Sequence, residues 1–379
     1  MAIAVNENDR QLTLPAWMEV DLNRLVRNFQ RIRQIAAGCK VIASVKANAY
    51  GHGVVSVGRA LERIGVDVLA TGSLHEAILL RQSGVMAPIL MFGRCLPDAY
   101  PLLLANNLIP TIHEVWQAEA LIEAAGARNV DAYVKVDAGL GRLGIPIGEA
   151  EHAIESMARL PRLTVKGLYT HLPFNQLDQR DTAQNNLDRF VHLVHRLAAI
   201  GIEFEVIQAK ASAGLLAELN DPFNAVCPGH ALYGLEPAAF PLVRANGLEP
   251  VLKAVRTRLI QVGTPTQITA SSIHGYGINT VPGRRGVIPV GQAEGLSSYG
   301  INSGQQALVG GQRVRILGIS FEHAVLDLSE VDCRVGDVVT LIGDAHDDII
   351  TLEEFARWRG GSIKDALMAL SGRLAEVSI

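Results

Sequence analysis

The sequence predicts an α/β fold: a parallel (β/α)8 barrel of the TIM type, followed by a smaller, mostly β C-terminal domain. Three observations carry this. Eight short apolar runs alternate with helix-period segments over the first two-thirds of the chain. Such alternation implies a parallel sheet, and eight units imply closure. Helical periodicity then fades after about Glu249, and short alternating β runs replace it. The rival is a doubly wound open sheet, but no Gly-x-Gly-x-x-Gly follows the first strand. The domains read as 16–248 for the barrel and 249–379 for the β domain, with 1–15 grouped with the latter.

In chain order, Asp21–Ala37 reads as an amphipathic helix, with Leu22, Leu25, Val26, Phe29, Ile32 and Ile35 on one side and Asp21 as its cap. The first strand starts at Val41 and stops at Lys46. Strand-like runs recur at Asp67–Ala70, Pro88–Phe92, Ile109–Ile112, Ala132–Asp137, Thr164–Thr170, Phe204–Gln208 and Asn224–Cys227. Helical patterns fall between them at Val54–Ile64, His75–Gln82, Val115–Ala125, Glu149–Ala158 and Asn185–Ala199. The second domain offers β runs at Lys253–Val262, Gly286–Val290, Val314–Ile319, Ala324–Leu328 and Val338–Ile342. Terminal helices follow at Leu352–Arg359 and Ile363–Ser371.

Composition bounds the function. The 379 residues are 49% hydrophobic and 19% charged, enough to bury a large core. A net charge of −4 with no Lys/Arg block gives no reason to expect nucleic-acid or anionic-membrane binding. Cys39, Cys95, Cys227 and Cys333 lack Cys-x-x-Cys spacing, which argues against a zinc site and suits a reducing cytosol. The short polar N-terminus does not read as a signal peptide, and no apolar run is long enough to span a membrane. A cytoplasmic protein is expected.

Chemistry concentrates at strand ends, where a barrel presents its functional residues. Lys46 closes a buried run, and a poorly solvated amine there loses basicity and can attack a carbonyl. A snorkelling lysine closing a strand is the plain alternative. Other strand ends supply Lys135, Asp137 and Arg142, then His171, then Ser212, then Cys227 with Gly229 and His230. Singly, each has an ordinary reading: a core histidine, a helix cap, a surface ion pair. Together they converge on one mouth.

The string Lys46-Ala47-Asn48-Ala49-Tyr50-Gly51-His52-Gly53 resembles the cofactor-lysine motif of the alanine racemase family. Pro15-Ala16-Trp17 and Glu19-Val20-Asp21-Leu22 resemble the stretch before it, and the likeness continues, with gaps, to the C-terminus. The resemblance implies a PLP-dependent (fold type III) isomerase that racemises an amino acid as a homodimer. Lys46 is then expected to carry pyridoxal 5′-phosphate as an internal aldimine. Tyr50, Ser212 and the backbone at Gly229 match phosphate-binding positions, His230 adjoins them, and His171 matches the histidine against the pyridine ring. Arg142 matches the arginine near the cofactor phenolate and substrate carboxylate, and Lys135 a lysine carbamylated in several members. Tyr276, in Gly275-Tyr276-Gly277, resembles the second base, which reaches the partner subunit's site. It also reads simply as a loop aromatic.

The chain departs from the family at defined points. Cys227 stands where an arginine pairs with the pyridine nitrogen, and Ala211 where asparagine precedes the serine. Phe321-Glu322-His323 replaces Met-Asp-Gln near the substrate carboxylate. Gly291-Gln292-Ala293-Glu294-Gly295 replaces Gly-Tyr-Ala-Asp-Gly, and Lys364 or Asp365 replaces a tyrosine. Cys227 reads either as a thiolate favouring a pyridinium or as a small buried hydrophobe. Three functions stay open: a racemase for alanine or a different amino acid; a decarboxylation, transamination or retro-aldol cleavage on the same cofactor; or a non-catalytic cofactor-binding relative.

Overall fold

The computed structural model describes residues 14–93, 95–237, 241–264 and 283–379. The chain divides into two compact units. One comprises Asn23–Ala49 and Val54–Pro250, and the other the described residues up to Leu22, Tyr50–Gly53 and Val251–Ile379.

The first unit is the predicted barrel. Its parallel strands follow one another around the sheet as Ile89–Met91, Val68–Thr71, Lys40–Ser44, Ala225–Cys227, Val206–Ala211, Leu163–Tyr169, Val130–Asp137 and Thr111–Ile112. A parallel bridge between Leu90 and Ile109 joins the two ends. Each strand has two apolar faces because helices cover the outside and side chains fill the inside. Ile42, Val68, Ala70, Leu90, Tyr133, Tyr169, Val206 and Ala225 form the inner cluster. Ala132, Val134, Val136 and Leu168, at the alternate positions, face the helices.

The helices bury one stripe each. Arg180–Ala199 buries Ala183, Leu187, Phe190, Leu193 and Leu197, a spacing of three and four residues. Each large side chain so buried contributes about 1.5–3 kcal/mol. A helix at Tyr100–Ala105 begins with Pro101 in its first turn and completes the alternation; the sequence pattern was too short to reveal it. Gly167 is required by a close approach, since a Cβ there would come within 2.5 Å of the Tyr133 ring.

The second unit is built on an antiparallel-rich sheet. Ala16–Val20 pairs antiparallel with Leu252–Arg258 and parallel with Ala375–Ser378. The expected barrel range of 16–248 includes Ala16–Val20, which the sequence did not mark as a strand. The strand belongs to the other sheet because its ladder partners are there. The long run Lys253–Val262 forms two strands, Leu252–Arg258 and Gln261–Gly263. Arg313 is a hub of this unit, reaching Asp348 and Glu354 at 2.7 Å each and the Ile349 carbonyl. Ser362 caps the helix Ile363–Leu370 by accepting the Asp365 amide, and the Asp365 carboxylate accepts the Ser362 amide in return.

After the Lys40–Ser44 strand, Lys46–Gly51 winds as a left-handed turn. Ala47, Asn48, Ala49 and Tyr50 all have φ between 52° and 55°. Such a conformation costs L-residues about 1–2 kcal/mol each, and persists only when its surroundings over-determine it.

Candidate active site

Within the barrel unit, several sequence-predicted residues meet at the C-terminal strand ends. Lys46 Nζ lies 5.9 Å from the centre of the Phe92 ring. Lys135 Nζ lies 5.6 Å from the Tyr169 ring, and the two rings are 6.4 Å apart. Tyr169 Oη shares a 3.0 Å hydrogen bond with Thr111 Oγ1. Burial pushes the Tyr169 phenol well above its ordinary range.

The charges are crowded. Burial, then the Arg142 guanidinium and the Lys46 ammonium, pull Lys135 down to about 8 against the pull of Asp137. Burial, then Lys135, Lys46 and Arg142, pull His171 down to about 4, so its ring is neutral at physiological pH. Burial pushes the Cys227 thiol up to about 12, although Lys46 and Lys135 pull the other way. Of the two readings of Cys227, the thiolate is therefore the one the structure disfavours.

Loops complete the mouth. Burial alone would push the Asp137 carboxyl up, but the amides of Gly139, Leu140, Gly141 and Arg142 outweigh it and hold the carboxylate below its usual range. Asp137 thus shapes the loop that presents the exposed Arg142. Ser212 opens the short helix Ser212–Leu216 but does not cap it. Its buried Oγ accepts the amides of Gly229 at 2.9 Å and Ala231 at 3.2 Å. The hydroxyl proton is left to donate. His230 lies between these two amides in the chain.

Two residues that sequence reasoning missed fix the Lys46 turn. The Asn48 amide donates to Glu76 Oε1 at 2.7 Å, and the Thr71 hydroxyl donates to Glu76 Oε2. Asn48 Oδ1 in turn accepts the Val54 amide at 2.8 Å. The visible signal for Glu76 was only a helix start, Ser73-x-x-Glu76, with Ser73 as cap. A third missed residue, Gln208, is an inward polar side chain in a strand.

Tyr50, Phe321 and Glu322 belong to the other unit. Phe321 is 67% exposed. Glu322 accepts a hydrogen bond from Arg373 at 2.7 Å, and Arg373 also pairs with Glu294. Tyr276 lies outside the described residues.

The donor set suits a dianionic, aromatic aldehyde. It comprises two inward amines, a guanidinium, a serine hydroxyl free to donate, and buried polar atoms without partners among the described residues at Ser44 Oγ and Gln208 Nε2. Such a set, at the strand ends of a barrel, is suited to hold an aromatic, phosphate-bearing cofactor.

Comparison with known proteins identifies the family. The alanine racemase N-terminal domain model matches residues 20–237, and the alanine racemase C-terminal domain model residues 253–378. The alanine racemase of Halothermothrix orenii is 33% identical over 358 residues, 92% of each chain. That of Thermodesulfovibrio yellowstonii is 32% identical over 364 residues, covering 94% of this chain and 95% of its own. Among solved structures, alanine racemase from D-cycloserine-producing Streptomyces lavendulae superimposes with a TM-score of 0.84 at 26% identity, over 97% of both chains. Bacillus anthracis alanine racemase with bound L-Ala-P gives 0.83 at 26% identity, over 95% of this chain and 94% of its own. The chain belongs to the alanine racemase family. All four cysteines are free thiols, and no helix among the described residues is long and apolar enough to cross a membrane.

Proposed function

We propose that this protein is an amino-acid racemase of the alanine racemase type, interconverting L- and D-forms of a small amino acid with pyridoxal 5′-phosphate held on Lys46. The observation that carries the reading is the pair of inward amines, Lys46 and Lys135, the second so poorly solvated that its pKa falls to about 8. When bound, the cofactor supplies an electron sink that acidifies the substrate Cα–H.

The residues then divide the work. Lys46 holds the cofactor and moves a proton at one face of Cα. Tyr276 of the partner subunit moves a proton at the opposite face, which makes the functional unit a homodimer. Racemisation needs two such groups, because removal and return must occur on opposite sides. The Ser212 hydroxyl donates to the phosphate, and the amides of Gly229 and Ala231 orient it. By the resemblance, Tyr50 and His230 are further cofactor-binding positions. Neutral His171 would back the ring of the cofactor, and Arg142 would hold the substrate carboxylate and the cofactor phenolate. Phe321 and Glu322 act on the substrate carboxylate across the dimer. Lys135 near pKa 8 has enough free amine to add carbon dioxide, releasing a proton and leaving a carbamate that holds Arg142.

The test is incubation of the purified protein with a panel of amino acids, alanine first, in D₂O. Chiral analysis and mass spectrometry follow. Cα exchange with loss of enantiomeric excess supports racemisation. Loss of CO₂ or of the amino group would replace it with decarboxylation or transamination. Borohydride treatment should fix the cofactor to the peptide containing Lys46, and a label elsewhere would reject the assignment.

A further inference from the structure

We propose that Gln208 is a cofactor-binding residue, its carboxamide donating a hydrogen bond to the pyridine ring nitrogen of the group held on Lys46. The inference rests on the cofactor reading above and deepens it.

The register places Gln208. It lies opposite Tyr169 on one neighbouring strand and opposite Ala225 on the other. Tyr169 and Ala225 both belong to the inner cluster, as does Val206 two residues before Gln208. Residues two apart and residues directly opposite share a face, so Gln208 points into the barrel. It is 3% exposed, and its Nε2 finds no acceptor among the described residues. A buried amide without a partner is rare and calls for one.

The neighbours say which partner. Two residues beyond Ala225 stands Cys227, which packs against the inner cluster and lies opposite Ala211 after a one-residue shift of register. Cys227 feels the charge of both Lys46 and Lys135, so this part of the inner face lies close to the amines. Its thiol is a weak donor. The Tyr169 hydroxyl is engaged with Thr111, and Ser212 with two amides. Once Lys46 takes the carbonyl carbon, Ser212 the phosphate and Arg142 the phenolate, the acceptor left on the ring is its nitrogen. Gln208 offers a neutral donor for it. Ser44 Oγ is another inward atom without a partner among the described residues, but it sits on the strand leading to Lys46 itself and has a one-atom reach.

The experiment loads the full-length protein with ring-¹⁵N pyridoxal 5′-phosphate and records the nitrogen resonance of the resting enzyme. Gln208→Leu should move it toward the value of a pyridine without a hydrogen bond and weaken cofactor affinity about tenfold. Gln208→Glu, of the same shape, should move it toward the pyridinium value, because a carboxylate stabilises the protonated ring. Ser44→Ala should leave it in place. An unchanged resonance in both Gln208 variants, or a shift only in Ser44→Ala, would overturn the assignment while leaving the cofactor reading intact. A protein that retains no cofactor would overturn both.

Discussion

Glu76 accepts the backbone amide of Asn48 at 2.7 Å, and this single carboxylate ties the left-handed turn after Lys46 to the neighbouring barrel strand through Thr71. Four consecutive non-glycine residues hold positive φ there, so the turn is under strain and needs such an anchor. Glu76→Ala is expected to cost about 1.5–3 kcal/mol, the range for hydrogen bonds to a charged group. It should also speed cofactor loss on gel filtration. Glu76→Gln keeps the acceptor for Asn48 and should lose well under half of that. Equal denaturation midpoints for the Ala variant and the parent would show that the turn does not depend on Glu76.

His171 gives a pH signature. Its folded pKa is about 4, against an ordinary 6.5, because burial and three nearby cations oppose its charge. Between those values the unfolded chain binds the proton and the folded chain does not. Stability therefore rises with pH across this window and falls on acidification. For a half-buried ring the loss from pH 6.5 to 4 should be about 2 kcal/mol. Urea midpoints of the cofactor-free protein should show this slope, and His171→Gln should flatten it. A slope unchanged in the variant would assign the acid sensitivity to other groups.

Gly167→Ala should be destabilising by about 2–3 kcal/mol, since the new methyl would meet the Tyr133 ring at 2.5 Å. Adding Tyr133→Leu should recover part of the loss, because the two positions couple through one contact. Strict additivity in thermal denaturation would refute that coupling.

The proposed sharing of the site between two subunits predicts complementation. Lys46→Ala and Tyr276→Phe homodimers should each be nearly inactive. Mixed dimers combine the intact Lys46 of one chain with the intact Tyr276 of the other. A co-refolded equimolar mixture should regain roughly a quarter of parental activity, since half the dimers are mixed and each holds one intact site. Absence of rescue in confirmed mixed dimers would place both groups in one chain.

Much of the barrel was legible in the sequence because its signal is local. Alternating runs such as Ala132–Asp137 and Thr164–Thr170 became the strands Val130–Asp137 and Leu163–Tyr169 within two residues. Ala16–Val20 could not be assigned this way, because its ladder partners are more than 230 residues away. At the candidate site, Lys46, Lys135, His171 and Cys227 could be picked out as strand-end residues. Glu76 could not, since its role is a hydrogen bond to a turn 28 residues earlier. The left-handed winding of Ala47–Tyr50 was equally hidden. Alanine and tyrosine carry no local preference for positive φ, so the conformation is imposed by contacts rather than by propensity. Gln208 was visible only as one polar residue in a β run, and its meaning came from the register.

Tyr50–Gly53 belongs to the unit completed by Val251–Ile379, although the chain makes it two hundred residues earlier. Side chains at Gly51 and Gly53 would meet Leu367, Ser371 and Glu376, near the far end of the chain. During synthesis, then, the lysine emerges early, yet the last part of its turn waits for residues from Leu367 onward. A nascent chain halted at Pro250 would carry every barrel strand and still lack the surface on which that turn comes to rest. Birth order and assembly order are reversed at the turn that follows the proposed cofactor lysine.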